Sequence, residues 1–145
     1  MPPIEEVARL TIPACASRLR LLRGLVRDSA LLAGMDEEGA DAVVLSVNEA
    51  CTNIIQHGYR MDPAGRIDVT VLDDGRALVV RLRDYAPPVD AGKARAREPQ
   101  AERPGGLGLH LIDSLMDEYG FLAPPEGGGN LFEMKKYLNR DGSST

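Results

Sequence analysis

The stretch "RIDVTVLDDGRALVVRLRDY", Arg66 to Tyr85, sets two alternating apolar runs on either side of Asp74-Gly75. Alternation turns every second side chain to one face of a strand. An Asp-Gly pair tolerates the positive φ of a tight turn. The segment is therefore read as an antiparallel hairpin, and the chain is organised around it.

Working outward, "VARLTIP" (Val7–Pro13) alternates in the same way and predicts a first strand that stops at Pro13. From Ala14 to Leu32 the apolar positions Leu19, Leu22, Val26 and Leu31 recur at helical spacing and predict a helix ending near Gly34. Asp36 is a suitable N-cap, and Glu37 and Glu38 favour a second helix through the macrodipole. That helix is expected to run to about His57, with Gly58 at its C′ position. Beyond the hairpin, Ala86 to Gly106 carries four prolines and three glycines among many charges and reads as a long loop. Helical periodicity resumes from Leu107 to Glu118. "YGFLAP" reads as a short strand, "PEGGGN" as a turn, and Leu131–Leu138 as a last strand.

The order β-α-α-β-β-α-β-β is not the alternation of a doubly wound fold. It implies an α+β two-layer sandwich with a mixed, mostly antiparallel sheet and helices on one face. Residues 1–138 are expected to form one domain and residues 139–145 a polar tail.

Composition narrows the function. With 43% hydrophobic and 4% aromatic residues, the core is built mainly from Leu, Val, Ile and Ala. A net charge of −5 gives no basic footprint for direct nucleic-acid contact and suits anionic membranes poorly. The two cysteines, Cys15 and Cys51, have no metal-type spacing and read as free thiols. "MPPIEEVARLT" lacks the basic region and apolar run of a signal peptide. No apolar stretch reaches the length needed to span a bilayer. A cytoplasmic protein is expected.

Three polar features stand out. In "NEACTNIIQHGY" (Asn48–Tyr59), Glu49, Asn53 and His57 fall on one line of the helix, beside an apolar face of Val43, Val44, Val47, Cys51, Ile54 and Ile55. Spacing alone favours a solvated stripe, although a mid-helix Asn is mildly unfavourable. In "RPGGLGLHLI", Gly105, Gly106 and Gly108 open a helix, where unpaired N–H groups suit phosphate. No Gly-Lys-Ser/Thr follows, so this is not a Walker A loop. Asp84 sits where a strand leaves the sheet, a position also natural for a turn-forming Asp.

In this order, Glu49-x3-Asn53-x3-His57-Gly58, Asp84-x-Ala86-x-Pro88 and Gly105-Gly106-Leu107-Gly108-Leu109 resemble the N, G1 and G2 boxes of the GHKL (Bergerat-fold) ATPases. That superfamily holds the ATP-binding domains of histidine kinases, gyrase and MutL. Within it, "NEACTNIIQHGY", "RPGGLGLHLIDSLMDE" and "GNLFEMKKYL" are similar to the anti-sigma-factor serine kinases of the RsbW and SpoIIAB type.

The resemblance implies roles. Asn53 matches the Mg²⁺ ligand and Asp84 the carboxylate that accepts from the adenine amino group. Gly105, Gly106 and Gly108, with Leu107 and Leu109, match the phosphate cradle, and the Ala86–Pro104 loop matches the ATP lid. Arg103 matches a basic lid residue for the γ-phosphate. Glu49 matches the catalytic carboxylate, a general base for a serine hydroxyl. His57 matches the family's "HGY" ending and is read as a helix-end packing or lid-contact residue rather than a catalyst. The implied activity is an ATP- and Mg²⁺-dependent serine kinase. It would phosphorylate a STAS-domain anti-sigma antagonist and sequester a sigma factor, as a homodimer. The G1 box departs from the family pattern: Asp84-Tyr85-Ala86 stands where Asp-x-Gly is usual. The Ala86 methyl is expected to crowd the adenine edge, and this favours the alternative, a non-catalytic or weakly ATP-binding regulatory module.

Overall fold

The computed structural model describes residues 3–89 and 109–138. In chain order its elements are β1 (Glu5–Pro13), α1 (Leu19–Leu32), α2 (Glu37–Asn53), β2 (Arg66–Asp73), β3 (Ala77–Asp84), α3 (His110–Leu115), β4 (Glu118–Phe121) and β5 (Asn130–Tyr137). Arg103, Gly105, Gly106, Leu107 and Gly108, and the tail at 139–145, lie outside the described residues.

The Arg66–Tyr85 hairpin forms as read. Ile67 pairs with Asp84 and Val71 with Val80 in the β2–β3 ladder. Three residues turn the chain, with Gly75 at φ 92°. Asp74 Oδ1 accepts from the N–H groups of Arg76 and Ala77 at 2.9 and 2.8 Å and fixes the turn. The described strands form one sheet in the order β1-β2-β3-β5-β4, and every pairing among them is antiparallel. The last strand thus lies inside the sheet, and the β4–β5 hairpin joins the β2–β3 hairpin along β3 and β5.

Alternation gives the sheet two different faces. Ile67, Val69, Val71, Leu78, Val80, Leu82 and Met134 pack beneath Leu22 and Val26 of α1, Val43 and Val47 of α2, and Ile112 of α3 in one core. This is the expected sandwich with helices on one face. The other face carries polar groups such as the Arg81–Glu133 ion pair at 2.8 Å, over a small cluster of Leu72, Ala77 and Val79.

Helix boundaries depart from the sequence reading in three places. A 3-10 turn at Ala16–Arg18 precedes α1, which then ends as expected: Gly34 takes φ 97° and the Met35 N–H reaches Ala30 O at 3.0 Å. The N-cap of α2 is Asp36, accepting from the Gly39 N–H at 2.8 Å. Its regular part stops at Asn53, and Ile54–Gly58 forms a π-turn in which the Tyr59 N–H bonds Ile54 O at 2.8 Å. Arg60 and Met61 follow with positive φ of 52° and 68°. At the other end of the chain, α3 ends at Leu115 because Met116 is extended and Lys136 Nζ takes the Leu115 carbonyl at 2.7 Å. Glu118 therefore begins β4 instead of ending a helix.

Candidate nucleotide site

Where α2 runs out over the ends of β3 and β5, a cavity of about 270 Å³ opens. Asn53, His57 and Arg60 line it from the helix side, and Asp84 and Asn130 from the strand ends. The remaining walls are mostly apolar: Ile54, Pro87, Val89, Leu109, Phe121 and Phe132. A mostly apolar cleft with a few convergent polar groups is the usual form of a small-molecule site.

Asp84 is 5% exposed. Its Oδ1 accepts from the Ala86 N–H and from Asn130 Nδ2, each at 3.0 Å. Burial raises its carboxyl above the ordinary carboxylate value, while the Asn130 amide, the Ala86 N–H and Arg83 pull it back. A desolvated, hydrogen-bonded acceptor at a cavity floor is suited to an N–H donor on a flat heterocycle.

The helix-side groups do not sit alike. Asn53 is 9% exposed, which excludes a solvated stripe at its position. Glu49, one turn earlier, is half-buried and stands outside the cavity lining. His57 is half-buried and lines the cavity from the π-turn, so it no longer follows the fourfold line drawn for a regular helix. Leu109 is buried at the N-cap of α3 and closes the cavity on that side.

The Ala86 methyl does not crowd the cavity. It is 4% exposed and lies outside the lining, facing the end of α2, where a Cβ added to Gly58 would approach it to 3.3 Å. Gly58 leaves the space that the methyl fills, and the alanine is accommodated by the helix end.

Three further residues build the site and were not singled out by the sequence reading. The Tyr59 hydroxyl donates to Arg66 O and accepts from the Tyr85 N–H, both at 2.7 Å, tying the helix exit to both strands of the hairpin. Asn130 binds Asp84 and the chain beyond it. Gly129 has φ 84°, and a Cβ there would lie 2.0 Å from Asp84 O. The only sequence signals were the "HGY" triplet and the run "GGGN", which read as a turn.

A divalent cation fits this donor set in one way. Among the described residues no cluster of three or more His, Cys, Asp or Glu is present. The near-buried carboxamide oxygen of Asn53, a neutral ligand, suits a Mg²⁺ ion that takes its other ligands from phosphate and water.

Comparison with known proteins identifies the family. Residues 12–136 match the model of the histidine kinase-like ATPase domain. The serine-protein kinase RsbW of Halalkalibacterium halodurans is 30% identical over 94% of this chain and 86% of its own length. The serine-protein kinase RsbW of Bacillus cereus is 29% identical over 94% of this chain and 88% of its own. A crystal structure of the RsbU and RsbW domains of Rv1364c from Mycobacterium tuberculosis is similar with TM-score 0.64 at 20% identity. That likeness is one of fold, and covers 95% of this chain and 33% of the longer one. The chain belongs to the histidine kinase-like ATPase domain family, within its RsbW type of serine-protein kinases.

Proposed function

We propose that this protein binds ATP in the cavity between α2 and the strand ends and transfers the γ-phosphoryl group to a serine of a STAS-domain anti-sigma antagonist. The observation that carries the reading is that one cavity joins Asp84, a near-buried acceptor for the adenine amino group, to Asn53 on the opposite wall. Asn53 would hold Mg²⁺ through its carboxamide oxygen, and the ion when bound supplies charge neutralisation at the phosphates. Glu49 lies one helical turn beyond Asn53, away from the base. There it accepts the serine proton as the hydroxyl oxygen attacks the γ-phosphorus and the bond to the ADP oxygen breaks. Gly105, Gly106, Leu107 and Gly108 would cradle the phosphates, and Arg103 would meet the γ-phosphate.

The same molecule would sequester a sigma factor. Phosphorylation adds about −2 charge to the antagonist and weakens its docking on a protein of net charge −5. Partner choice then switches. In this reading the protein is a cytoplasmic homodimer. The placement of the Ala86 methyl against Gly58 supports the catalytic reading over that of a non-catalytic regulatory module.

Transfer of labelled phosphate from ATP to a purified STAS antagonist tests the proposal. Glu49→Ala should lower the rate about a hundred-fold or more with ATP affinity nearly intact. A wild-type rate in that variant removes Glu49 as the base. Asn53→Ala should instead weaken ATP binding only when Mg²⁺ is present, and an unchanged titration removes its metal role.

A further inference from the structure

Among the described residues, Arg60 and Met61 are the ones other than glycine with positive φ, at 52° and 68°. An L-residue adopts that backbone at a cost that glycine avoids. Strain of this kind persists only where the surroundings enforce it, and it gathers at ligand clamps. Here the enforcement lies on both sides of Arg60. The Tyr59 N–H bonds Ile54 O and the Met61 N–H bonds Ile55 O, both at 2.8 Å, so the π-turn holds each neighbouring residue. The Asp62 N–H returns to Tyr59 O at 3.0 Å and closes the turn. The Tyr59 ring packs on Gly65, where an added Cβ would approach it to 2.5 Å.

The turn sets Arg60 at the cavity mouth: the residue is exposed and yet lines the cavity. Its guanidinium has no hydrogen-bond or ion-pair partner among the described residues. Among the described residues of the lining it is the one permanent cation. Depth then sorts what it can meet. With ATP in the cavity, the base reaches Asp84, which is buried on the floor. The phosphates gather at Asn53, further back along the helix. The sugar between them is left at the open rim, where Arg60 stands. Ribose hydroxyl oxygens accept from a guanidinium N–H in charge-assisted hydrogen bonds.

We infer that Arg60 is a further nucleotide-binding residue, one that discriminates the sugar. Its guanidinium donates to the 2′- and 3′-hydroxyl oxygens of the ribose, and the left-handed turn is kept because it aims that group at the rim. The inference rests on the ATP-site reading above and assigns a function to a residue outside the three boxes.

The test compares ATP with 2′,3′-dideoxyadenosine triphosphate, which has the same base and phosphates but neither sugar hydroxyl. Wild-type protein, titrated calorimetrically with each in the presence of Mg²⁺, should prefer ATP about ten-fold or more, the worth of a hydrogen bond to a charged group. Arg60→Gly removes the guanidinium and the backbone strain together, so its melting temperature should not fall below that of wild type. In that variant the preference should drop toward one, with ATP affinity lowered and dideoxy affinity nearly kept. A guanidinium that merely attracts the triphosphate charge would, on removal, lower both affinities together and leave the ratio intact; that result overturns the inference. Wild-type protein that binds the two nucleotides alike overturns it too, while leaving the ATP-site reading in place. Wild-type protein that binds neither overturns the ATP-site reading itself. Should Arg60→Gly melt early, Arg60→Gln, which keeps a long polar side chain without the charge, is judged by the same ratio.

Discussion

Replacing Gly129 by alanine forces a methyl to within 2.0 Å of Asp84 O and 3.0 Å of Tyr85 Cα, at a φ of 84°. Two costs separate cleanly. The left-handed backbone costs an L-residue roughly 1–2 kcal/mol. Displacing packed backbone adds roughly 1–3 kcal/mol. Gly128 isolates the first cost, with φ 88° and nothing within 4 Å of an added Cβ. Gly120 in β4 has neither problem, with no atom within 4 Å and no positive φ. Three variants therefore form a series. Gly120→Ala should be near neutral, Gly128→Ala should lose roughly 1–2 kcal/mol, and Gly129→Ala roughly 2–5 kcal/mol. In thermal melts of a domain this size the last figure corresponds to a fall of about 8–20 °C. The Gly129 variant should also lose nucleotide affinity, since the atom struck belongs to Asp84. Equal melting temperatures for the Gly128 and Gly129 variants would refute the close approach.

Asp84→Asn should separate stability from binding. Burial holds the native Asp84 carboxyl above its unfolded value of 3.8, so its contribution to stability is full below that value and is lost as pH rises through the native one. At neutral pH the buried charge is a cost, and a carboxamide oxygen still accepts from Ala86 and Asn130. The melting temperature at pH 7 should hold or rise while ATP affinity falls at least about ten-fold; a marked loss of stability would show that the charge itself holds the strand ends. The cysteines should differ in reactivity. Cys51 is fully buried and its thiol is pushed far up by desolvation, whereas half-exposed Cys15 is pulled down by the Ser17 hydroxyl. Iodoacetamide should label native Cys15 and spare Cys51, and mass spectrometry showing equal labelling would contradict this packing.

Periodicity made the strands legible because one face of each is buried, and it placed Asp36 and Gly34 at their helix ends through their own chemistry. It missed the π-turn at Ile54–Gly58, since one extra residue per turn leaves no mark on composition. His57 consequently left the line it was drawn on. The Ala86 methyl was expected in the cavity because only chain position, not side-chain direction, is visible in a sequence. Asn130 was hidden for a different reason: its partner Asp84 is 46 residues away, and the pairing exists only because the last strand enters the middle of the sheet. Local pattern carries no record of such a pairing.

That strand order has a consequence for how the protein is made. Arg81 on β3 leaves the ribosome 52 residues before its partner Glu133 on β5. At roughly 5–20 residues per second, β3 waits several seconds with its inner edge bare. An unpaired strand edge is a template for the wrong neighbour. The nascent chain is thus most exposed to misassembly along the strand that ends in Asp84, and no nucleotide can act as a folding ligand until the final strand has been synthesised.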